Sequence, residues 1–214
     1  MFSLLTALLL VLAACSTSPE AVKEQPDTAK AMEDCDEFLN ENASFDFNYF
    51  RYETDYRGRP SMARSLLPLG SDEITRPADR DESCQRKVGN LFGDVSVPER
   101  QGGHLIGAQL GGWKRRANLV AQNSQLNLGD WKRVENQAAK CDLRDDQVYM
   151  KAYPQYFRGR DTIPSIMTME FTSVGSDGSV VTETANFSNQ DGEGTSSTEA
   201  ANRLIFFLIA SGCN

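Results

Sequence analysis

The sequence predicts an α+β domain in which a mostly antiparallel sheet carries flanking helices. Three observations predict it. Residues 104–138 run in the order strand, loop, strand, helix. Residues 147–187 hold three segments of strand composition with short connections. An apolar hexad, Leu204-Ile205-Phe206-Phe207-Leu208-Ile209, reads as a helix packed on the core. At 214 residues the chain is long enough for one well-buried core and short for two, so one domain is expected. No internal repeat is visible.

Residues 1–15 hold an apolar run over 4–14 that is too short to span a bilayer and reads as a signal-peptide core. Its ending, Leu12-Ala13-Ala14-Cys15, resembles a bacterial lipobox. That resemblance implies cleavage before Cys15, a lipid on its thiol, and a membrane anchor at the periplasmic face or the cell surface. Ordinary cleavage and secretion is the alternative, and no Lys or Arg precedes the run. Residues 16–44 are expected to form a flexible acidic tether and lead-in, being poor in large apolar residues up to about Asp34, and residues 45–214 the folded domain. With Cys15 assigned to lipid, Cys35, Cys84, Cys141 and Cys213 remain. An even remainder in an exported chain implies two disulfides, with three connectivities open. A single histidine and the absence of any Cys-x-x-Cys argue against zinc.

Residues 45–56 are aromatic-rich and alternating, which predicts one strand turning at Arg57-Gly58-Arg59-Pro60. Residues 70–82 are polar and Pro-punctuated, hence a loop. His104-Leu105-Ile106 and Leu119-Val120 are short strands flanking a loop over 111–116, after which Trp131, Val134 and Ala138 take helical spacing. Residues 147–156, 165–174 and 179–187 are strands, the last two joined by Ser176-Asp177-Gly178. After a Gly/Ser-rich break over 190–197, Thr198 is the expected cap of the last helix.

The net charge of −8 has the wrong sign for a protein that simply adheres to nucleic acid. Its distribution matters more: residues 85–140 hold nine Lys or Arg against four acids. A basic core in an acidic body suits an enzyme that binds and releases a polyanion, although a local basic excess is also the mark of a solvated face.

The chemistry concentrates in Gly102-Gly103-His104, Asn118 and residues 127–136. His104 is the chain's only histidine, and an imidazole, with an unperturbed pKa of about 6.5, suits water activation near neutrality. One His, nearby amides and a Glu together suggest a one-metal site for cutting phosphodiesters. The same residues carry a resemblance. Gly103-His104 stands at the place of an Asp-Arg-Gly-His motif, and Leu126-Asn127, Gly129, Trp131 and Glu135 follow Leu-Asn-x-Gly-x-Trp-x-x-x-Glu. The segment resembles the DNA/RNA non-specific endonucleases of the His-Me finger (ββα-metal) superfamily, in the Gly-Gly-His branch, over residues 50–190. Residues 52–60 resemble the hairpin preceding that branch's core.

The resemblance implies a ββα-metal core and hydrolysis of DNA and RNA to 5′-phosphate ends. It implies His104 as general base and Mg²⁺, with Mn²⁺ as the alternative ion, held by Asn127. Glu135 would act through ion-bound water, eight residues on and about 80° round a continuous helix, and Asn118 would hold the site or substrate. Arg133, Arg59, Lys114, Arg115 and Arg116 are the candidate phosphate contacts. Gln101 and Gly102 stand where the motif has Asp and Arg, so the phosphate-binding Arg must come from Arg100, Arg59 or Arg160. Plainer readings stand beside these: Asn127 as a helix N-cap, Glu135 as a solvated acid, and Trp113 and Trp131 as packing rather than base-stacking platforms. An inhibitor or immunity protein is a compatible partner. A catalytically weak nucleic-acid-binding envelope lipoprotein is the rival, and a purely structural envelope lipoprotein the third reading.

Overall fold

The computed structural model describes Cys35, Leu39 and residues 41–47, 49–67, 81–91, 100–141, 147–190 and 194–214. The expected leader, Cys15, the stretch 16–34 and most of the loop 70–82 lie outside the described residues. The core sheet orders its strands β1 (Ser44–Phe47), β2 (Phe50–Thr54), β3 (Pro60–Leu67), β6 (Gln147–Gln155), β7 (Ile166–Val174) and β8 (Val180–Ser188), each antiparallel to its neighbour. Between β3 and β6 the chain leaves the sheet. There it forms α1 (Glu82–Leu91), a separate ribbon of β4 (Arg100–His104) and β5 (Leu119–Asn123), then α2 (Ser124–Leu128) and α3 (Asp130–Ala138). The last helix, α4 (Gly194–Ala210), packs on β8 and α3.

Strand alternation decides which sheet face is covered. Phe50, Tyr52, Val148, Met150, Ala152, Met169, Phe171, Ala185 and Phe187 are buried, whereas Tyr149, Val180 and Val181 are exposed. Each large apolar side chain removed from water contributes about 1.5–3 kcal/mol. Trp131 of α3 meets Phe187 of β8 edge-on at 5.5 Å, and Trp113 lies against Phe47 and Tyr52 at 5.4 and 6.1 Å. Both tryptophans are therefore packing residues. Buried Asn189 fastens the ribbon to the sheet: its Oδ1 accepts from Asn123 N–H at 2.7 Å, and its Nδ2 donates to Ala121 O and Pro164 O.

Four expectations change. The single strand over 45–56 is a hairpin closed by the pair Phe47 and Phe50, because the apolar phase moves from odd positions (Phe45, Phe47) to even ones (Phe50, Tyr52). The strand expected at 104–106 ends at His104, since Leu105 N–H turns to Asn118 O. Gly129, at φ −101° and ψ −109°, separates α2 from α3. Asn127 and Glu135 therefore do not share a helix, and the 80° relation does not apply. Thr198 lies inside α4, which starts at Gly194, and its hydroxyl donates to Asp130 Oδ2 at 3.0 Å. Within α4, Leu204 and Leu208 are buried while Phe206 is 74% exposed, so the apolar hexad packs on one side only. No helix among the described residues is long and apolar enough to cross a membrane.

The connectivity left open by the sequence is Cys35–Cys84 and Cys141–Cys213. The second bond fixes the C-terminus of α4 to the end of α3 across 72 residues, where Gln137 also donates to Cys213 O at 2.5 Å. By loop entropy such a closure is worth about 4 kcal/mol. Replacing Cys141 and Cys213 together with alanine is expected to lower the unfolding free energy in urea by about that amount; an unchanged midpoint would refute the bond's stabilising role.

Candidate active site

The ribbon's register runs from Arg100 opposite Asn123 to His104 opposite Leu119. Arg100, Gly102 and His104 share one face of β4 and Gln101 lies on the other. On the first face sits α1. Its seat is a small cluster of Cys84, Val88 and Leu119 with the Cys35–Cys84 bond beside it. The start of α1 is capped by Asp81, whose Oδ1 accepts from Cys84 N–H at 3.0 Å. That backbone bond foremost, helped by Ser83 and Arg115, holds the Asp81 carboxyl below its ordinary range.

The close seat explains the motif's missing arginine. A Cβ at Gly102 would stand within contact distance of the Gln85 carbonyl oxygen, a backbone atom that cannot swing aside. At Gly103 a Cβ would meet the side chain of buried Gln122. Helix α1 thus occupies the space an arginine at 102 would need. From the same helix, Gln85 Nε2 donates to Gly102 O at 3.1 Å and lies 3.4 Å from His104 Nδ1. Because a carbonyl demands a donor, the amide nitrogen is the atom that Gln85 presents towards the imidazole. His104 itself is only 8% exposed.

Asn127 approaches from α2. It does not cap the helix: Asn123 does, accepting from Gln125 and Leu126 N–H. Asn127 Nδ2 donates to Gln101 Oε1 at 2.9 Å, which leaves Oδ1 without a protein partner among the described residues. Gln101, standing where the motif has Asp, thus supplies an oxygen to orient the amide. Glu135 is 5% exposed, so the solvated-acid reading fails. It accepts from Trp131 Nε1 at 3.2 Å and Gln109 Nε2 at 2.9 Å, and its Oε2 lies against Gly107. The Asn127 amide is therefore tied three residues before His104, and the Glu135 carboxylate abuts the chain three residues after it. Asn118 is fully buried; it accepts from Ile106 N–H at 2.9 Å and donates to Ile106 O and Trp113 O, closing the loop behind His104.

Most of the expected phosphate contacts serve the fold instead. Arg59, 5% exposed, forms an ion pair with Asp55 at 2.5 Å, donates to Asp161 O, and lies over the Tyr156 ring at 4.1 Å. Arg116 is 2% exposed and donates to Leu119 O at 2.5 Å; burial pulls its guanidinium down to about 10. Burial likewise pushes the Tyr156 hydroxyl up. Arg133 bridges Asp130 and Asn202 between α3 and α4, and Arg115 pairs with Asp81 at 2.9 Å. Lys114 is half-buried in the same loop. Charge counted along a sequence does not say which guanidinium faces water. Gln85, Gln101 and Gln109 are the site residues that sequence reasoning missed; an Asp81-Glu82 cap ahead of Val88 was the available signal for α1, whereas nothing in spacing marks an orienting glutamine.

Residues 40–175 match the DNA/RNA non-specific endonuclease family. The chain belongs to that family. The match makes residues 40–175 an endonuclease domain and starts a few residues ahead of β1, in the expected lead-in, where Leu39 is already buried. The type VII secretion system protein EssD of Staphylococcus aureus (strain USA300) is 29% identical over 126 residues, which is 56% of this chain and 19% of EssD. Among solved structures, EndoG in its complex with EndoGI superposes at TM-score 0.50 with 15% identity, covering 77% of this chain and 81% of that one. Magnesium-bound NucA from Streptococcus agalactiae gives TM-score 0.49 at 19% identity over 75% of this chain and 79% of that one. The α+β architecture, with its strand, loop, strand and helix, is similar to that of EndoG.

Restoring the motif's arginine tests the account of Gly102. Gly102→Arg is expected to cost about 3 kcal/mol or more in chemical denaturation, as overpacking against backbone does, and to lower activity. A variant as stable as the parent would show that α1 does not hold that space.

Proposed function

We propose that the domain hydrolyses DNA and RNA phosphodiesters outside the cytoplasm, with His104 as general base and a divalent ion held by Asn127. The observation that carries this reading is the Gln101-oriented Asn127 amide, which keeps its oxygen available three residues along the strand from the imidazole. These residues fit a hard divalent ion. Among the described residues no three of His, Cys, Asp or Glu gather to hold a metal, and the proposed ligands are one amide oxygen and water. Mg²⁺, which keeps most of its water, suits such a set better than Mn²⁺ or zinc does. A bound ion would neutralise charge on the scissile phosphate and assist the leaving oxygen.

His104 removes a proton from the attacking water, its ring positioned by Gln85, which Gly102 O holds in turn. Glu135, held by Trp131 and Gln109, would orient the water of an ion bound at Asn127. Asn118 is a positioning residue, holding Leu105–Ile106 so that β4 ends at the imidazole. Lys114 and Arg115 provide the nearby basic surface. Export is supported by two disulfides, which persist in oxidising compartments, and by relatedness to a secretion-system protein; lipid attachment at Cys15 is the proposed means of retention.

Purified oxidised protein is expected to degrade plasmid DNA and RNA in Mg²⁺ and to stop in EDTA. Digestion that ignores chelation would remove the metal assignment. Asn127→Ala should lower kcat by about 100-fold or more with nucleic-acid affinity nearly unchanged, and His104→Ala should lower it by about 100- to 10,000-fold, both with parental unfolding midpoints. Should the wild type bind DNA yet cut it with no divalent ion, the binding-lipoprotein reading replaces this one.

A further inference from the structure

We infer that the cleft beyond the far end of β4 is a binding subsite for unpaired polynucleotide, in which Phe157 stacks a base and Arg100, Arg158 and Arg160 hold the adjoining phosphates. The inference rests on the endonuclease reading and names the strand state of its substrate. The cleft encloses about 740 Å³ and is lined by these four residues together with Asp161 and Gln190, among others. Its three arginines against one acid stand out in a chain of net charge −8.

The loop that carries Phe157, Arg158 and Arg160 is built rigidly. Arg57 donates to Gly159 O at 2.5 Å and Arg59 to Asp161 O, so two guanidiniums from the β2–β3 turn grip its backbone. Asp161 Oδ2 accepts from Arg158 N–H at 2.8 Å, and Asp161 N–H returns a bond to Arg158 O. The one acid of the cleft is thereby turned onto the loop itself, and its charge is shared with a backbone donor. Phe157 is 67% exposed, and Arg158 and Arg160 are exposed with no carboxylate partner among the described residues. Arg100 is fixed at the rim through Asn189 O at 2.9 Å, with its other donors still to be used. A large ring held out in water beside two guanidiniums is costly unless something covers it. A base and its phosphates do so.

Position joins the cleft to the chemistry. Arg100 and His104 are four residues apart on one face of β4, about 13 Å, a distance that a strand of a few nucleotides spans. Bases in a duplex already have stacking partners, so the ring favours an unpaired strand. The subsite also supplies what the chain lacks at Gly102, namely arginines able to pair with phosphate.

The test uses full-length oxidised protein with Phe157→Ala and with Arg158→Ser/Arg160→Ser, all at exposed positions. Fluorescence anisotropy in EDTA measures binding of a 16-nucleotide single strand and of its duplex, and turnover is measured in Mg²⁺ on both and on bis(4-nitrophenyl) phosphate. Phe157→Ala is expected to weaken single-strand binding about 10-fold and duplex binding less than about 2-fold. The arginine variant should flatten the single strand's log–log salt dependence by about 1.4, as two lost phosphate contacts require. Turnover of the small diester, which carries no neighbouring nucleotides, separates effects on the catalytic residues from effects on strand binding. Equal effects on single strand and duplex, or no effect on either, overturn the proposal, as does a loss of binding to phosphatidylglycerol vesicles with oligonucleotide affinity intact. If the wild type hydrolyses nothing while the binding differences appear, the subsite stands and the catalytic reading falls.

Discussion

Everything at this site depends on where β4 stops, and the buried Asn118 amide stops it. One side chain accepts from Ile106 N–H and donates to two carbonyls, so both Ile106 groups just past the ladder and the Trp113 carbonyl of the returning loop are satisfied at once. Left unpaired in a fully buried setting, each would cost about 1–3 kcal/mol. With them paired, the chain can leave the ribbon directly after the imidazole, return through Trp113, and send Gly107 beneath the Glu135 carboxylate. The sheet enters the same economy of contacts through Tyr52, whose hydroxyl accepts from Trp113 N–H at 2.9 Å.

A second constraint acts on the opposite side of His104. Helix α1 lies so close to β4 that position 102 admits only hydrogen, and the helix then presents Gln85 to the ring. The lack of room for an arginine at 102 and the placing of the Gln85 amide by the imidazole both follow from the same close seat of α1. No arginine stands at 102, and Arg59 and Arg116 are both turned into the protein rather than towards solvent. The family resemblance alone could not have revealed this, because a motif does not say which side chains face water.

Much of the sheet was legible. Strands β6, β7 and β8 and the turn at Gly178 (φ 82°) follow period-two patterning, and α3 follows the spacing of Trp131, Val134 and Ala138. The site's strand was not: Arg-Gln-Gly-Gly-His has neither alternation nor β-branched residues, and only pairing with Leu119–Asn123 makes it extended. Asn127 and Glu135 were found by motif, yet their relation was misjudged because the break at Gly129 is a matter of backbone angles. Arg116 and Arg133 look alike in sequence. One lies inside the protein against Leu119 O and the other bridges two helices, a difference set by tertiary neighbours.

The Cys35–Cys84 bond has a consequence for when the site becomes complete. It ties a residue ahead of the first strand to the turn of α1 that bears Gln85, adjacent in sequence to Cys84. A chain held in a thiol-reducing environment lacks that tie, and α1 is then held by its packing on β4, Val88 and Leu119, the Gln85 to Gly102 bond and the Asp81 to Arg115 pair, with no covalent link. The firmness of the imidazole's surroundings is accordingly coupled to thiol oxidation, so the reduced and the oxidised chain differ in how tightly their only histidine is held.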